Sequence, residues 1–106
     1  MKKIKYVKLS IGLTDKDTRR QEIKTEDAFN LIANQFLKNK IDASFTEGKG
    51  IYTYDDGFPG LEKTIFCTIL FYEFNEKIQE ICNFLKIALN QESIAIEEGF
   101  INSMLY

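Results

Sequence analysis

The sequence predicts an α+β sandwich of βαββαβ order, in which four antiparallel strands carry two helices on one face. Three observations predict it. Residues 4–13 alternate apolar and polar with period two, the pattern of a strand with one buried face. Two later stretches repeat apolar residues at i, i+3, i+4 and i+7, the pattern of amphipathic helices. The other apolar runs, 43–54, 62–74 and 93–99, are short, rich in β-branched and aromatic residues, and bounded by turn formers.

In the first strand Val7, Leu9, Ile11 and Leu13 point one way, and Tyr6, Lys8 and Ser10 the other. The polar "TDKDTRRQEIK" that follows predicts a loop; Asp15 to Asp17 could also turn the chain so that "RRQEI" pairs briefly with the first strand. Thr25 is a good N-cap, Glu26 and Asp27 suit the positive end of the helix dipole, and Phe29, Ile32, Ala33, Phe36 and Leu37 form the buried stripe. "ASFTEGKGIYTY" predicts the second strand, where Gly48 and Gly50 point to a bulge or a close backbone approach. "DDGFPG" is dense turn chemistry and leads into the third strand, "EKTIFCTILFYEF". Asn75 caps a second helix with the stripe Ile78, Ile81, Cys82, Leu85 and Leu89; Asn90 ends it, and "SIAIEEG" is the fourth strand. Right-handed crossovers then put strands one and three at the centre of the sheet and two and four at its edges, the ferredoxin-like arrangement. One domain spans 1–106, ending in an apolar C-terminal tail at 100–106.

The third strand is apolar on both faces. Ile65, Cys67, Ile69 and Phe71 should meet the helices, while Phe66, Leu70, Tyr72 and Phe74 should face the side that two helices leave bare. An antiparallel sheet with one wet face normally carries polar residues there, and a large apolar patch marks an interface or ligand surface. Phe100, Ile101, Met104, Leu105 and Tyr106 of the tail add to that surface. Either the tail folds back over the open face or a second subunit covers it, and the expected assembly is a homodimer.

A chain of 106 residues, 44% hydrophobic and 28% charged, is of ordinary globular composition. No apolar run reaches the roughly 18 residues that span a bilayer, and "MKKIKYVKLS" has the lysines of a signal peptide without its long apolar stretch, so no membrane association and a cytoplasmic location are expected. Cys67 and Cys82 fall on buried segments and read as small core hydrophobes, with neither disulfide nor metal. The chain has no histidine, the commonest general base and metal ligand. No cofactor motif occurs: "GKG" and "GFPG" match neither phosphate-loop nor dinucleotide spacing. Nucleic acid is not an expected partner, because the third strand lacks the glycine and basic residues of an RNA-recognition sheet, and the net charge is −2.

"KLSIGL" before a helix, then "GKGIY", a turn into "EKTIFCTIL" and finally "LNQESIAIE" resemble a family of short bacterial and phage proteins, a domain of unknown function. Its members end the first strand with Gly-Leu, here Gly12-Leu13, and enter the last with Gln-Glu-Ser, here Gln91-Glu92-Ser93. Ile51 before Tyr52, and a longer loop holding Arg19 and Arg20, depart from the family pattern. The resemblance implies the fold and a phage or mobile-element setting; it implies no activity, since the family has none established.

Gln91-Glu92-Ser93 has a structural reading, in which Gln91 and Glu92 bond nearby backbone at the helix end. Its functional reading makes Glu92 a base and Ser93 a nucleophile, which would need an orienting group and an oxyanion site. The expected function is accordingly a non-catalytic interaction module with a protein partner, for instance an inhibitor of a host defence protein. The alternative is a small-molecule-binding protein or small enzyme of the dimeric α+β-barrel type, with Tyr52, Tyr54, Tyr72 and Glu92 around a pocket on the open face.

Overall fold

A computed structural model describes residues 1–106. Its elements are β1 (Lys2–Gly12), α1 (Thr25–Asn39), β2 (Ser44–Thr53), β3 (Pro59–Leu70), α2 (Glu76–Ala88) and β4 (Ala95–Ser103). The sheet order is β2-β3-β1-β4 with every pair antiparallel, so the ferredoxin-like α+β fold is the observed one. No helix is long and apolar enough to cross a membrane.

The alternation of β1 holds: Val7, Leu9, Ile11 and Leu13 are buried against the helices. Ile65, Cys67 and Ile69 of β3 join them, since Leu9 pairs with Cys67 and Ile11 with Ile65. The α2 stripe is buried throughout, and Asn75 caps that helix by accepting from the Ile78 amide at 3.0 Å. In α1 the buried face is Ala28, Ile32, Gln35 and Phe36, rotated from the expected stripe. Small Ala28 lies against the sheet, Phe29 slides to the flank and meets Phe45 edge-on at 5.4 Å, and Leu37 is 73% exposed. Thr25 is not the cap. Lys24 occupies that position without a side-chain bond, and the Thr25 hydroxyl instead accepts from Gln21 and Lys63.

Both helices end in the same way. Lys40 and Asn90 take left-handed φ of 55° and 48°. The next amides, Ile41 and Gln91, reach back to Phe36 and Lys86 carbonyls at 3.0 and 2.9 Å. This is the Schellman closure, which satisfies carbonyls the helix leaves free. Asn90 therefore ends α2 as expected, and buried Gln91 follows it.

Residues 13–24 form no strand, so the "RRQEI" hairpin is not there. Asp15 instead folds the loop on itself, its carboxylate accepting from the Asp17 and Thr18 amides, while Asn90 Nδ2 donates to Asp15 and Asp17 at 3.0 and 2.8 Å.

The far end of the sheet differs most from expectation. β3 stops at Leu70, and Phe71 takes φ 60°, which reverses the alternation beyond it. Phe71 is turned out, half exposed, and Tyr72 packs against the core instead of facing the open side. The tail does not fold back as a whole: β4 runs on to Ser103, pairing Phe100 with Lys5 and Ile101 with Ile4, and past it Leu105 lines a groove with Ser44, Thr68 and Leu70 of the open face. Geometry explains the apolar surplus there. Eleven residues of β1 span about 36 Å, whereas fifteen of α1 span about 22 Å. The helices cannot cover the sheet's whole length, and Phe71, Phe74, Phe100, Met104 and Leu105 are exposed at the end they leave.

Candidate functional site

Strand alternation assigns the open face. Opposite the buried residues lie Ser10 and Gly12 of β1, Gly48, Gly50 and Tyr52 of β2, Glu62, Thr64 and Phe66 of β3, and Ala95 of β4. Phe66 and Leu70 are partly buried there, with the Lys8 ammonium 5.2 Å above the Phe66 ring. The half of the face around Gly12 is thus mainly polar and small, while Phe66, Leu70 and Ile101, with Ile4 and Tyr6, lie on the same face toward its other end.

Glycines let long side chains lie flat across the sheet. A Cβ on Gly48 would come within 2.8 Å of the Phe66 ring. A Cβ on Gly12 would sit 2.1 Å from Glu62 Oε1 and 2.4 Å from its Cδ, so the Glu62 carboxylate occupies the space a side chain would take. It is fixed there by the Thr14 amide, which donates to Oε2 at 3.1 Å. The close approach expected at Gly48 is real, though by a ring and not a backbone.

Between these strands lies a cleft of about 180 Å³, lined among others by Ser10, Gly12, Tyr52, Glu62, Thr64, Phe66, Gln91 and Ser93. Tyr52 stands at its rim. Its hydroxyl donates to Glu92 Oε2 at 2.8 Å, and Ser93 Oγ lies 3.3 Å away. A phenol has one proton to give, so with Glu92 accepting it, Ser93 is the donor to Tyr52. The result is a directed chain, Ser93 to Tyr52 to Glu92. Ser93's bond lowers the Tyr52 pKa, but the bond to Glu92, burial and the charges of Glu92 and Asp55 outweigh it, and the phenol stays protonated above its ordinary range. Ser93 bonds the phenol and not Glu92 itself, so the two are not arranged as the base and nucleophile of the functional reading.

Gln91 is 6% exposed and its Nε2 donates to the Thr14 carbonyl at 2.6 Å. It tethers the end of β1 across 77 residues of sequence instead of bonding nearby backbone. Glu92 likewise bonds a distant tyrosine. The structure therefore brings Tyr52 and Glu92 together, as the pocket alternative expects. Tyr54 is buried behind them, its ring edge-on to Tyr52 at 5.4 Å, with burial the chief cause of its raised pKa and Glu62's charge the next. Tyr72 does not join them. It lies past Leu70, about 33 Å along β3 from Gly60, the partner of Tyr52.

The residues expected at an interface also separate. Phe66 and Leu70 remain on the open face, but Phe74 and Phe100 line a groove with Lys5, Glu73 and Glu98, and Leu105 lines another with Leu70, Phe71 and Tyr72. No set of three or more His, Cys, Asp or Glu side chains converges as metal ligands. Burial pushes the thiols of Cys67 and Cys82 up to about 12 and about 11, well away from reactive thiolates. Glu62, Thr64 and Gly12 are the site residues that periodicity alone did not single out. Their signal was the pairing register, which puts even-numbered residues of β3 beside even-numbered residues of β1.

No protein-family model matches the chain, and no curated protein matches it. Among solved structures, a phage SAM lyase in complex with S-methyl-5'-thioadenosine superposes with a TM-score of 0.68 at 22% identity, covering 96% of this chain and 92% of that one. A phage SAM lyase in the apo state superposes with a TM-score of 0.69 at 21% identity, covering 98% and 93%. These likenesses establish the fold over nearly its whole length. They also overturn the expectation of a non-catalytic interaction module, because the two proteins that superpose on this chain nearly end to end are lyases.

Proposed function

We propose that this chain is a small enzyme that binds S-adenosylmethionine (SAM) in the open-face cleft and cleaves it, releasing S-methyl-5'-thioadenosine. The observation that carries the reading is the Glu62 carboxylate laid over Gly12 in a cleft that also holds Phe66 and Tyr52, whose hydroxyl bonds Glu92. SAM is a sulfonium cation, and carboxylates and aromatic faces are the groups that attract one. The two phage SAM lyase structures support the choice of substrate.

S-Methyl-5'-thioadenosine is SAM without its four-carbon amino-acid arm, so its release breaks the bond from Cγ to sulfur. The route that asks least of the protein is internal. The substrate's own carboxylate oxygen forms a bond to Cγ, the electron pair of the C–S bond passes to sulfur, and a lactone and a neutral thioether result. No proton moves, which suits a chain without histidine. The protein's part is to curl the substrate into attacking geometry and hold the sulfonium, and orientation alone can supply several kcal/mol of a barrier, on the order of 7–11 at best.

The cleft of about 180 Å³ is smaller than the roughly 300–1,000 Å³ of ordinary ligand pockets. A second copy laid over the open face would complete it, and a homodimer is part of the proposal. Enclosure would matter energetically: a charge pair at 4 Å is worth about 1 kcal/mol in water and about 4 at an effective dielectric of 20. A phage or mobile-element origin fits the same two likenesses. The test is incubation of purified protein with SAM, with S-methyl-5'-thioadenosine and the lactone followed by mass spectrometry. Glu62→Gln should slow their appearance at least tenfold. Wild-type protein that releases no thioether above the spontaneous rate would end the proposal.

A further inference from the structure

The loop from Leu13 to Lys24 is longer than the turn this fold needs, and Arg19 within it is held at φ 58°, a conformation unfavourable for a side chain larger than glycine. The loop is anchored on both sides of that residue. The Arg19 amide donates to the Asp15 carbonyl at 2.8 Å, the Asp15 amide to the Arg20 carbonyl at 2.9 Å, and the Lys16 amide to the Asn90 carbonyl at 2.9 Å. This framework delivers the Arg19 guanidinium to one place. It stacks 4.2 Å from the Tyr54 ring centre, lies 5.8 Å from that of Phe58, and bonds Asp56 Oδ2 at 2.6 Å. The Tyr54 ring also lies close over Gly60, where a Cβ would come within 3.1 Å of it. Tyr54 in turn meets Tyr52 edge-on.

We propose that Arg19 is a positioning residue for the Ser93–Tyr52–Glu92 hydrogen-bond chain, acting through the Tyr54 ring. The inference rests on that chain belonging to the site proposed above. The exposed ion pair with Asp56 is a weak source of stability, because solvent screens it. What the guanidinium does is press Tyr54 against Gly60 so that the Tyr52 ring has one orientation, with its hydroxyl between Glu92 and Ser93. Without it Tyr54 is free to swing toward the turn at 55–58, and Tyr52 loses the edge that fixes it.

The test uses full-length protein labelled with 3-fluorotyrosine, with the Tyr52 and Tyr54 resonances assigned from Y52F and Y54F. R19A should move the Tyr52 resonance toward that of exposed fluorotyrosine. It should lower kcat for SAM cleavage roughly tenfold, the scale of a modest misplacement, with KM changed less than about twofold. Y54F, which keeps the ring, should leave the Tyr52 resonance in place. R19A/Y54A should be no worse than the worse single variant, as expected for two residues in one path. A folded R19A whose Tyr52 resonance does not move, or additive losses in the double variant, would overturn the inference. If the wild type does not cleave SAM, the function proposed above fails, and the resonances alone still decide whether Arg19 orients Tyr52.

Discussion

Gly12→Ala is the sharpest probe of the cleft. Gly12 does not have positive φ, so alanine is compatible with its backbone and the effect is steric. The new methyl would stand 2.1 Å from Glu62 Oε1, against an ordinary contact of about 3.4 Å, so the carboxylate must retreat by roughly 1 Å. The Thr14 amide bond, already 3.1 Å, would then exceed hydrogen-bonding range. Losing a bond to a charged group costs about 1.5–3 kcal/mol, and replacing glycine returns about 0.4–1 through the unfolded chain. A net loss of about 1–2 kcal/mol follows, at about 4–8 °C of Tm for each kcal/mol in a domain of this size. Glu62 ends in flexible bonds, so the fold survives and the cleft does not. SAM binding, read by calorimetry, should weaken at least tenfold. G12A/E62A lacks the same Thr14 bond, so its Tm should stay close to that of G12A, and it should recover none of the binding. A G12A protein with wild-type melting and wild-type SAM affinity would refute the reasoning, since Glu62 could not then be lying over Gly12.

Other consequences follow from single contacts. Tyr52→Phe should cost about 0.5–1.5 kcal/mol, read by urea melts, and slow SAM cleavage. Tyr6 and Tyr52 have raised pKa values, Tyr6 through its hydrogen bond to Glu97, so in the folded protein both should ionise later than free tyrosine in an absorbance titration at high pH. A folded pKa above the unfolded one means their contribution to stability is complete below about pH 10 and is lost as pH rises through the folded values. Cys67 and Cys82, at about 12 and about 11, should resist thiol reagents at neutral pH until the protein unfolds, and rapid labelling of native protein would contradict their burial. Gln91→Ala removes the donor to the Thr14 carbonyl and should lower stability by about 1–3 kcal/mol, with hydrogen exchange rising first at residues 13–24.

The fold was legible because its strongest signals are periodic and local. Four alternating residues of β1 and five of α2 occupy the positions their spacing assigned. What failed were positions set by geometry between elements. The angle at which α1 lies on the sheet decides that Ala28 and Gln35 are covered and Leu37 is not, and one helix's sequence does not encode that angle. Phe71 shows a second limit. Nothing in "ILFYEF" announces a left-handed residue, since phenylalanine is a poor candidate for one. Yet that one dihedral ends β3 and carries Tyr72 from the open face to the core.

The site was half legible for a related reason. Tyr52 and Glu92 could be paired from topology, because the start of β4 and the end of β2 lie at the same end of a ferredoxin-like sheet, with a reach suited to long side chains. Glu62 could not be singled out from its own neighbourhood, where it is one charge in "LEKT". Its meaning comes from Gly12, 50 residues away, which leaves a hole of the right size beside it. Gly48 does the same for Phe66. Glycine on a sheet surface normally weakens the strand, by about 0.5–1 kcal/mol relative to alanine. Two such glycines, each filled by a side chain from β3, account for that cost as the means of laying a carboxylate and an aromatic ring flat in one shallow cleft. A sheet face built only for solvent would have no use for either hole, and that is the strongest physical reason to place the proposed chemistry here instead of at the apolar end of the molecule.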